Sequence, residues 1–454
     1  VYGNIYDYYS RIFYYCFSYF LFVHILIGFG GIMTNILISR LQKRRLLTPY
    51  QTLVLSFILV TFLGALLLML PLSSRSGENL SFTNALFTAA SAVCVNGLTV
   101  VDTSRYFSYF GQMIIILLIQ IGGLGVMTIT IIITVIAGRQ IRLKSRILMQ
   151  ESLNLLSFAG VVRLFISIVV ETFIIEFIGG SILAIRFYQD FGIKGIYMGY
   201  WHAVSAFCNA GFDIIGGEGI AAYITMPSVC MTLSILAVIG GIGFGTIEEL
   251  KERFLYKRKF RFSLNTKVVL FTTAVLLIVG AISMFLLEYN NTATLGNMSL
   301  TNKYLASFYL SVVSRTSGFA LVDTADLGNA ALFLIMILMF IGGSPGSTAG
   351  GIKTTTFAVI FSSVLHIING KDDVVLFGRR LETDTVMKAL ALFFISSSFI
   401  VSATMYLFIT ENFTFIQTLF EVVSAFATAG LTTGITPLLS DSSKLVLIII
   451  MIIG

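Results

Sequence analysis

Four short stretches of this 454-residue chain end in a glycine set among small residues: SAVCVNGL (91–98), SAFCNAGF (205–212), VVSRTSGF (312–319) and SAFATAGL (424–431). Their glycines, Gly97, Gly211, Gly318 and Gly430, lie 114, 107 and 112 residues apart. A second glycine (Gly122, Gly240, Gly342, Gly454) follows each by 25, 29, 24 and 24 residues, in IGGLG, IGGIG, IGGSPG and MIIG. Matched pairs at near-constant spacing define a fourfold internal repeat. The chemistry on offer belongs to the backbone, because glycine permits a conformation that presents carbonyl oxygens where a residue with a Cβ resists it. The candidate ion-contacting residues are therefore Cys94, Val95, Asn96 and Gly97; Cys208, Asn209, Ala210 and Gly211; Thr316, Ser317 and Gly318; and Thr428, Ala429 and Gly430.

Each turn is preceded by an apolar stretch too short to cross a membrane. A half-helix that enters from outside and stops at such a turn aims its negative dipole end at mid-membrane. Four converging on one axis make a ring of oxygens able to replace a cation's hydration shell. The segments CVNG, CNAG, RTSG and ATAG share only the glycine, so one or two good sites are expected, not a long row. The side chains of Asn96, Asn209, Thr316, Ser317 and Thr428 either meet the ion or bond the loop's own backbone. Arg315 would repel a permeant cation if it faced one. It is expected behind the turn, pinning a pore helix by pairing with Glu421.

The elements that hold these turns must be membrane helices. The chain is 57% hydrophobic and 11% charged, against about 25% charged in soluble domains. Successive apolar runs match the roughly 30 Å hydrocarbon core. The first run, about 12–38, is too long for a signal-peptide core. The fold expected is an all-α polytopic membrane protein, with four tandem helix–pore-helix–helix repeats arranged pseudo-fourfold around one ion pathway and an extra N-terminal helix. The divisions are 1–46 (hydrophobic helix and basic linker), 47–146, 147–264, 265–384 and 385–454, the last being short of its sisters, so that further residues are expected beyond Gly454.

The linkers 138–146, 251–267 and 371–388 carry four, seven and four Lys/Arg. The positive-inside rule puts them in the cytoplasm and the glycine turns toward the outside. The net charge of +7 is thus a topology signal, and nucleic acid is not needed to explain it. Cys16, Cys94, Cys208 and Cys230 lie in membrane stretches and suggest no disulfide framework. His24, His202 and His366 have no ligand spacing. His202 is expected to begin a pore helix in an interfacial role.

One copy of the repeat departs from the rest. Residues 341–356, IGGSPGSTAGGIKTTT, sit inside the apolar run 330–364 with five glycines and a proline. Those residues cost a helix interior about 1 and 3 kcal/mol each, so no continuous helix is expected. Non-helical backbone at membrane depth is tolerated only when buried in protein or lining a cavity. Gly342, Gly343, Ser344, Pro345, Gly346, Ser347, Thr348, Ala349, Gly350, Gly351 and Lys353 therefore form a candidate gate beneath the ring, Lys353 either barring cations or anchoring the loop.

The four turns, the TPYQ that starts the first repeat, and above all GGSPGSTAGGIKT resemble the Trk/Ktr/HKT superfamily of cation transporters, most of all its KtrB-type membrane subunits, over about 47–454. The resemblance implies potassium uptake, no enzyme activity, a homodimer in the lipid bilayer of the cell membrane, and regulation by a cytoplasmic octameric RCK ring of the KtrA or TrkA kind. It implies K+ as the transported ion and nucleotide only through that partner; Na+ is a candidate activator, a dependence the sequence leaves open. It also implies that 342–353 is an intramembrane gating loop. The rival classes fit less well. A sodium-coupled or less selective Na+/K+ secondary transporter usually shows inverted repeats with coupling carboxylates, whereas these repeats run parallel and only Glu171, Glu176 and Glu421 stand at depth. An intramembrane enzyme would need a dyad or metal motif that the sequence lacks.

Overall fold

The computed structural model describes residues 49–125 and 161–454, apart from 218, 258–260, 316 and 372. The N-terminal helix expected before residue 47 and one ion-contacting candidate, Thr316, lie outside the described residues. The chain divides into two compact units, Val1–Leu63 with Gly125–Ile166, and Gly64–Leu124 with Ser167–Gly454. Of the first unit, residues 49–63, 125 and 161–166 are described.

The described helices repeat a pattern of helix, short helix, glycine turn and helix. They are α1 (Pro49–Leu68), α2 (Phe82–Val93), α3 (Tyr109–Leu124), α4 (Val161–Phe191), α5 (Ile193–Phe207), α6 (Pro227–Gly241), α7 (Phe244–Phe254), α8 (Leu264–Glu288), α9 (Leu300–Val313), α10 (Asn329–Phe340), α11 (Thr354–Ile368), α12 (Thr383–Thr410), α13 (Phe415–Ala427) and α14 (Asp441–Ile453). Among the described residues, α4, α8 and α12 are each long and apolar enough to cross a membrane, and α6 with α7 makes a fourth such span bent by 103°. The outer faces of the three long helices carry Phe177, Ile185, Phe271, Leu286, Phe394 and Ile409 at 61 to 76% exposure. Apolar side chains on the outside are what a hydrocarbon solvent permits.

The four short helices before the turns, α2, α5, α9 and α13, run 12 to 15 residues, or about 18–22 Å, too little to cross. Three begin at side-chain caps: Ser81 accepts from the Asn84 amide, Ser299 from Asn302 and Thr414 from Gln417. Such caps satisfy amides that the helix itself leaves free. The fourth starts after Gly192 at φ +59°. Small fully buried residues, among them Ala85, Ala89, Ala203, Ala206, Ala425 and Ala427, let these helices approach closely.

The inner helices wedge between successive short helices. α3 packs on α2 and α5, α6 on α5 and α9, α10 on α13, and α14 on α13 and α2. That last contact closes the ring. Two features depart from the sequence reading. The helix of the second repeat also breaks at its glycines, where Gly243 (φ +90°) turns α6 sharply into α7. Moreover, His202 lies inside α5, fully buried, and pairs through Nε2 with the Asp213 carboxylate at 2.9 Å. An interfacial role for His202 is thereby corrected, since a buried imidazole needs a polar partner.

Candidate functional site

All four turn glycines adopt left-handed backbone, with φ of +99°, +68°, +73° and +77° at Gly97, Gly211, Gly318 and Gly430. Two residues earlier, Val95, Asn209 and Thr428 are left-handed as well, a conformation that costs a residue with a Cβ about 1–2 kcal/mol. The intervening Asn96, Ala210 and Ala429 do not share it. Alternating handedness lines successive carbonyls up on one side of the chain. The amides go to the other side: Asn96, Ala210 and Ala429 donate to the carbonyls of Ser91, Ser205 and Ser424 in their own short helices at 2.7 to 2.9 Å, and Ser317 donates to Val313 at 3.1 Å.

The turns meet head to tail. A Cβ added at Gly211 would come within 2.8 Å of the Ser317 carbonyl oxygen, and one at Gly318 within 3.0 Å of that of Ala429. At Gly430 it would press on the Asn96 carbonyl, and at Gly97 on that of Ala210. Each glycine thus receives the carbonyl of the next turn, and the cycle closes after four. Three of the side chains named as ion contacts, those of Asn96, Asn209 and Thr428, make hydrogen bonds within the protein. Asn96 Nδ2 donates to the Ala425 carbonyl at 2.9 Å, Asn209 Nδ2 to the Ala237 carbonyl and to Thr348 Oγ1 at 3.2 and 2.8 Å, and Thr428 Oγ1 accepts from the Gly350 amide at 3.1 Å. Cys208 Sγ donates weakly toward Gln120 and Glu176, whose own bond of 3.1 Å ties α3 to α4. The sequence reading missed this cluster, although a glutamine just before IGG in an apolar helix is its signature.

Behind the turns, Gly122, Gly240 and Gly454 pack directly on the carbonyls of Val93, Phe207 and Phe426, with no room for a Cβ. The third repeat differs. Its inner helix stops at Phe340, and residues 341–353 form a loop before α11. There Gly342 packs on the Gly350 carbonyl instead. The Ser344 and Thr348 amides donate to Gly241 and Gly240 carbonyls at 2.9 and 3.2 Å, and Phe244 N donates to Gly346 O at 2.9 Å. Thr348 Oγ1 donates to the Phe207 carbonyl at 3.2 Å. The loop therefore bonds the second turn through Thr348 and the fourth through Gly350, and those two turns stand opposite each other in the ring. Lys353 Nζ donates to the Ala349 carbonyl at 2.7 Å, so it ties the loop to itself.

The pairing of Arg315 with Glu421 does not occur. Arg315 Nη2 donates to the Gly342 carbonyl at 3.0 Å, whereas Glu421 accepts from Thr432 at 2.9 Å and from Thr436. Sequence proximity to a turn could not reveal that Glu421 faces the segment that follows the glycine turn of its own repeat. Glu171 is likewise spoken for, by Lys251 on α7. Glu421→Ala is expected to strand the Thr436 hydroxyl, a loss of about 1–3 kcal/mol. Thermal unfolding in detergent reads it, with Glu421→Gln recovering part; an unchanged midpoint for the alanine would refute it.

A family model described as TrkH, cation transport protein, matches residues 18–454. The chain belongs to the TrkH family. It is 42% identical over 409 residues to the Ktr system potassium uptake protein B of Bacillus subtilis (strain 168), covering 90% of each chain. Against the potassium/sodium uptake protein NtpJ of Enterococcus hirae, identity is 41% over 425 residues, 92% of this chain and 93% of that one. The crystal structure of the potassium transporter TrkH from Vibrio parahaemolyticus superposes with a TM-score of 0.70 at 16% identity, covering 95% of both chains, which establishes a shared fold. This TrkH-family chain thus belongs with transport proteins, not enzymes, and its apolar helices suit a multi-pass membrane protein.

Proposed function

We propose that this chain is the ion-translocating membrane subunit of a potassium uptake system. The carrying observation is the closed head-to-tail cycle in which each turn's carbonyl lies against the next turn's glycine. Oxygens from Asn96, Ala210, Ser317 and Ala429, one per repeat, would take the place of the water around a dehydrated K+. The short helices point their C-terminal ends at the same ring, and their partial negative charge favours a cation there. The repeats are taken as 47–146, 147–264, 265–384 and 385–454, with basic linkers in the cytoplasm and the turns facing outside. The loop 342–353 lies across the ring's inner side and serves as the gate, with Lys353 as its anchor. A homodimer, a cytoplasmic RCK ring as regulator, and Na+ as activator complete the reading; nucleotide acts only on the ring.

The test is reconstitution into liposomes, with K+ flux measured with and without Na+ and the ring partner. K+ influx that the partner and Na+ raise supports the reading, and no flux of any monovalent cation overturns it. A second reading, a less selective Na+/K+ transporter, is favoured by the likeness to a relative named for potassium and sodium uptake. Equal Na+ and K+ flux would decide for it.

A further inference from the structure

The third turn carries a cation where its sisters do not. Three residues before the turn glycine stand Cys94, Cys208 and Ala427 in the other repeats, and Arg315 in the third. Its Nη2 bonds the Gly342 carbonyl, at the point where α10 gives way to the loop. Its Nε is buried without a hydrogen-bond partner among the described residues, and no carboxylate pairs with the guanidinium there. Beside it is a cavity of about 20 Å³ lined in part by Arg315, Asn209, Gly241 and Gly343, room for one water. A buried guanidinium with one donor idle is held more weakly than one fully bonded.

The contrast with the sister repeats gives this bond its meaning. In those, glycine-on-carbonyl packing fixes the inner helix to the turn, and such a contact cannot release without separating the helices. In the third repeat that contact is replaced by a side-chain hydrogen bond, which can break while the packing around it stays. We propose that Arg315 is a positioning residue, the releasable pin that holds the hinge of the 342–353 loop to the third turn and so keeps the path shut. The proposal rests on the gate reading above. Opening breaks the Arg315–Gly342 bond, and the guanidinium then turns its donors to the neighbouring cavity.

The experiment compares Arg315→Met, Arg315→Lys and a deletion of 344–350 in the full chain, reconstituted without any regulatory partner. Rubidium influx, rubidium-over-sodium preference and thermal stability are read for each. Both substitutions should raise influx about tenfold or more, the scale of one hydrogen bond to a charged group, with the preference kept. Neither should add to the deletion. A rise with methionine but wild-type flux with lysine would mean that charge alone matters, and would overturn the pin. Should the methionine variant fail to fold, lysine carries the test, because it keeps the charge and loses the planar fork. A deletion that raises influx while both substitutions leave it unchanged overturns the pin and leaves the gate standing. A deletion that leaves influx unchanged overturns the gate, and the pin with it.

Discussion

Gly318→Ser is expected to abolish most of this protein's preference for K+ over Na+. The glycine sits at φ +73°, where an L side chain is strained by about 1–2 kcal/mol. Its Cβ would also come within 2.9 Å of Gly211 Cα and 3.0 Å of the Ala429 carbonyl oxygen. The obstacle is backbone on both sides, so the turn itself must move, and its oxygens move with it. Ion selectivity depends on where such dipoles stand, so the loss should appear in competition of sodium against rubidium influx. Gly77→Ala serves as the control. It has φ +76° but nothing within 4 Å of an added Cβ, so it carries strain alone and should lower thermal stability with selectivity intact. An unchanged preference in the serine variant would remove the ring from the ion's path.

Deleting residues 344–350 should give the largest rise in flux. The ends of the cut already touch: the Gly343 amide donates to the Gly350 carbonyl at 3.2 Å, and a Cβ on Gly351 would lie 3.2 Å from Gly342 Cα. Joining Gly343 to Gly351 therefore leaves α10 and α11 where they are. What goes is the crosspiece, with its bonds to Gly240, Gly241, Phe207, Asn209 and Thr428. Each such bond contributes about 0.5–1.5 kcal/mol, so their sum is enough to hold a path closed, and removing them should raise rubidium influx by more than the roughly tenfold expected from one bond to a charged group, in a protein that still runs as a folded species. Equal or lower influx from a folded variant would refute the gate.

Much of this was legible in the chain. Glycine and proline act locally, so the break between α10 and α11 and the four turns could be read from residue type. The apolar runs and the basic linkers follow from transfer free energy, which is likewise a property of short segments. Local reading failed where a contact is long-range. Asn96 and Thr428 look like ion ligands because they border turns, yet Asn96 donates its side-chain amide to the Ala425 carbonyl, 329 residues away, and the Thr428 hydroxyl accepts from the Gly350 amide, 78 residues away. Arg315 and Glu421 look like a pair because opposite charges at depth should meet. The fold gives each a nearer hydrogen-bond partner, which removes the need.

The sequence by itself determined that the chain has four parallel repeats, that each ends a short helix at a glycine, and that only the third is expanded below its turn. Those are statements about composition, spacing and backbone freedom. The tertiary structure alone decided that every glycine receives the next turn's carbonyl, and that the expanded loop bridges the second and fourth turns. It also decided that Arg315 bonds the Gly342 carbonyl and not Glu421. The reason is ring closure: α14 must come round to α2 before any turn has its neighbour, and no local periodicity encodes which oxygen then faces which glycine.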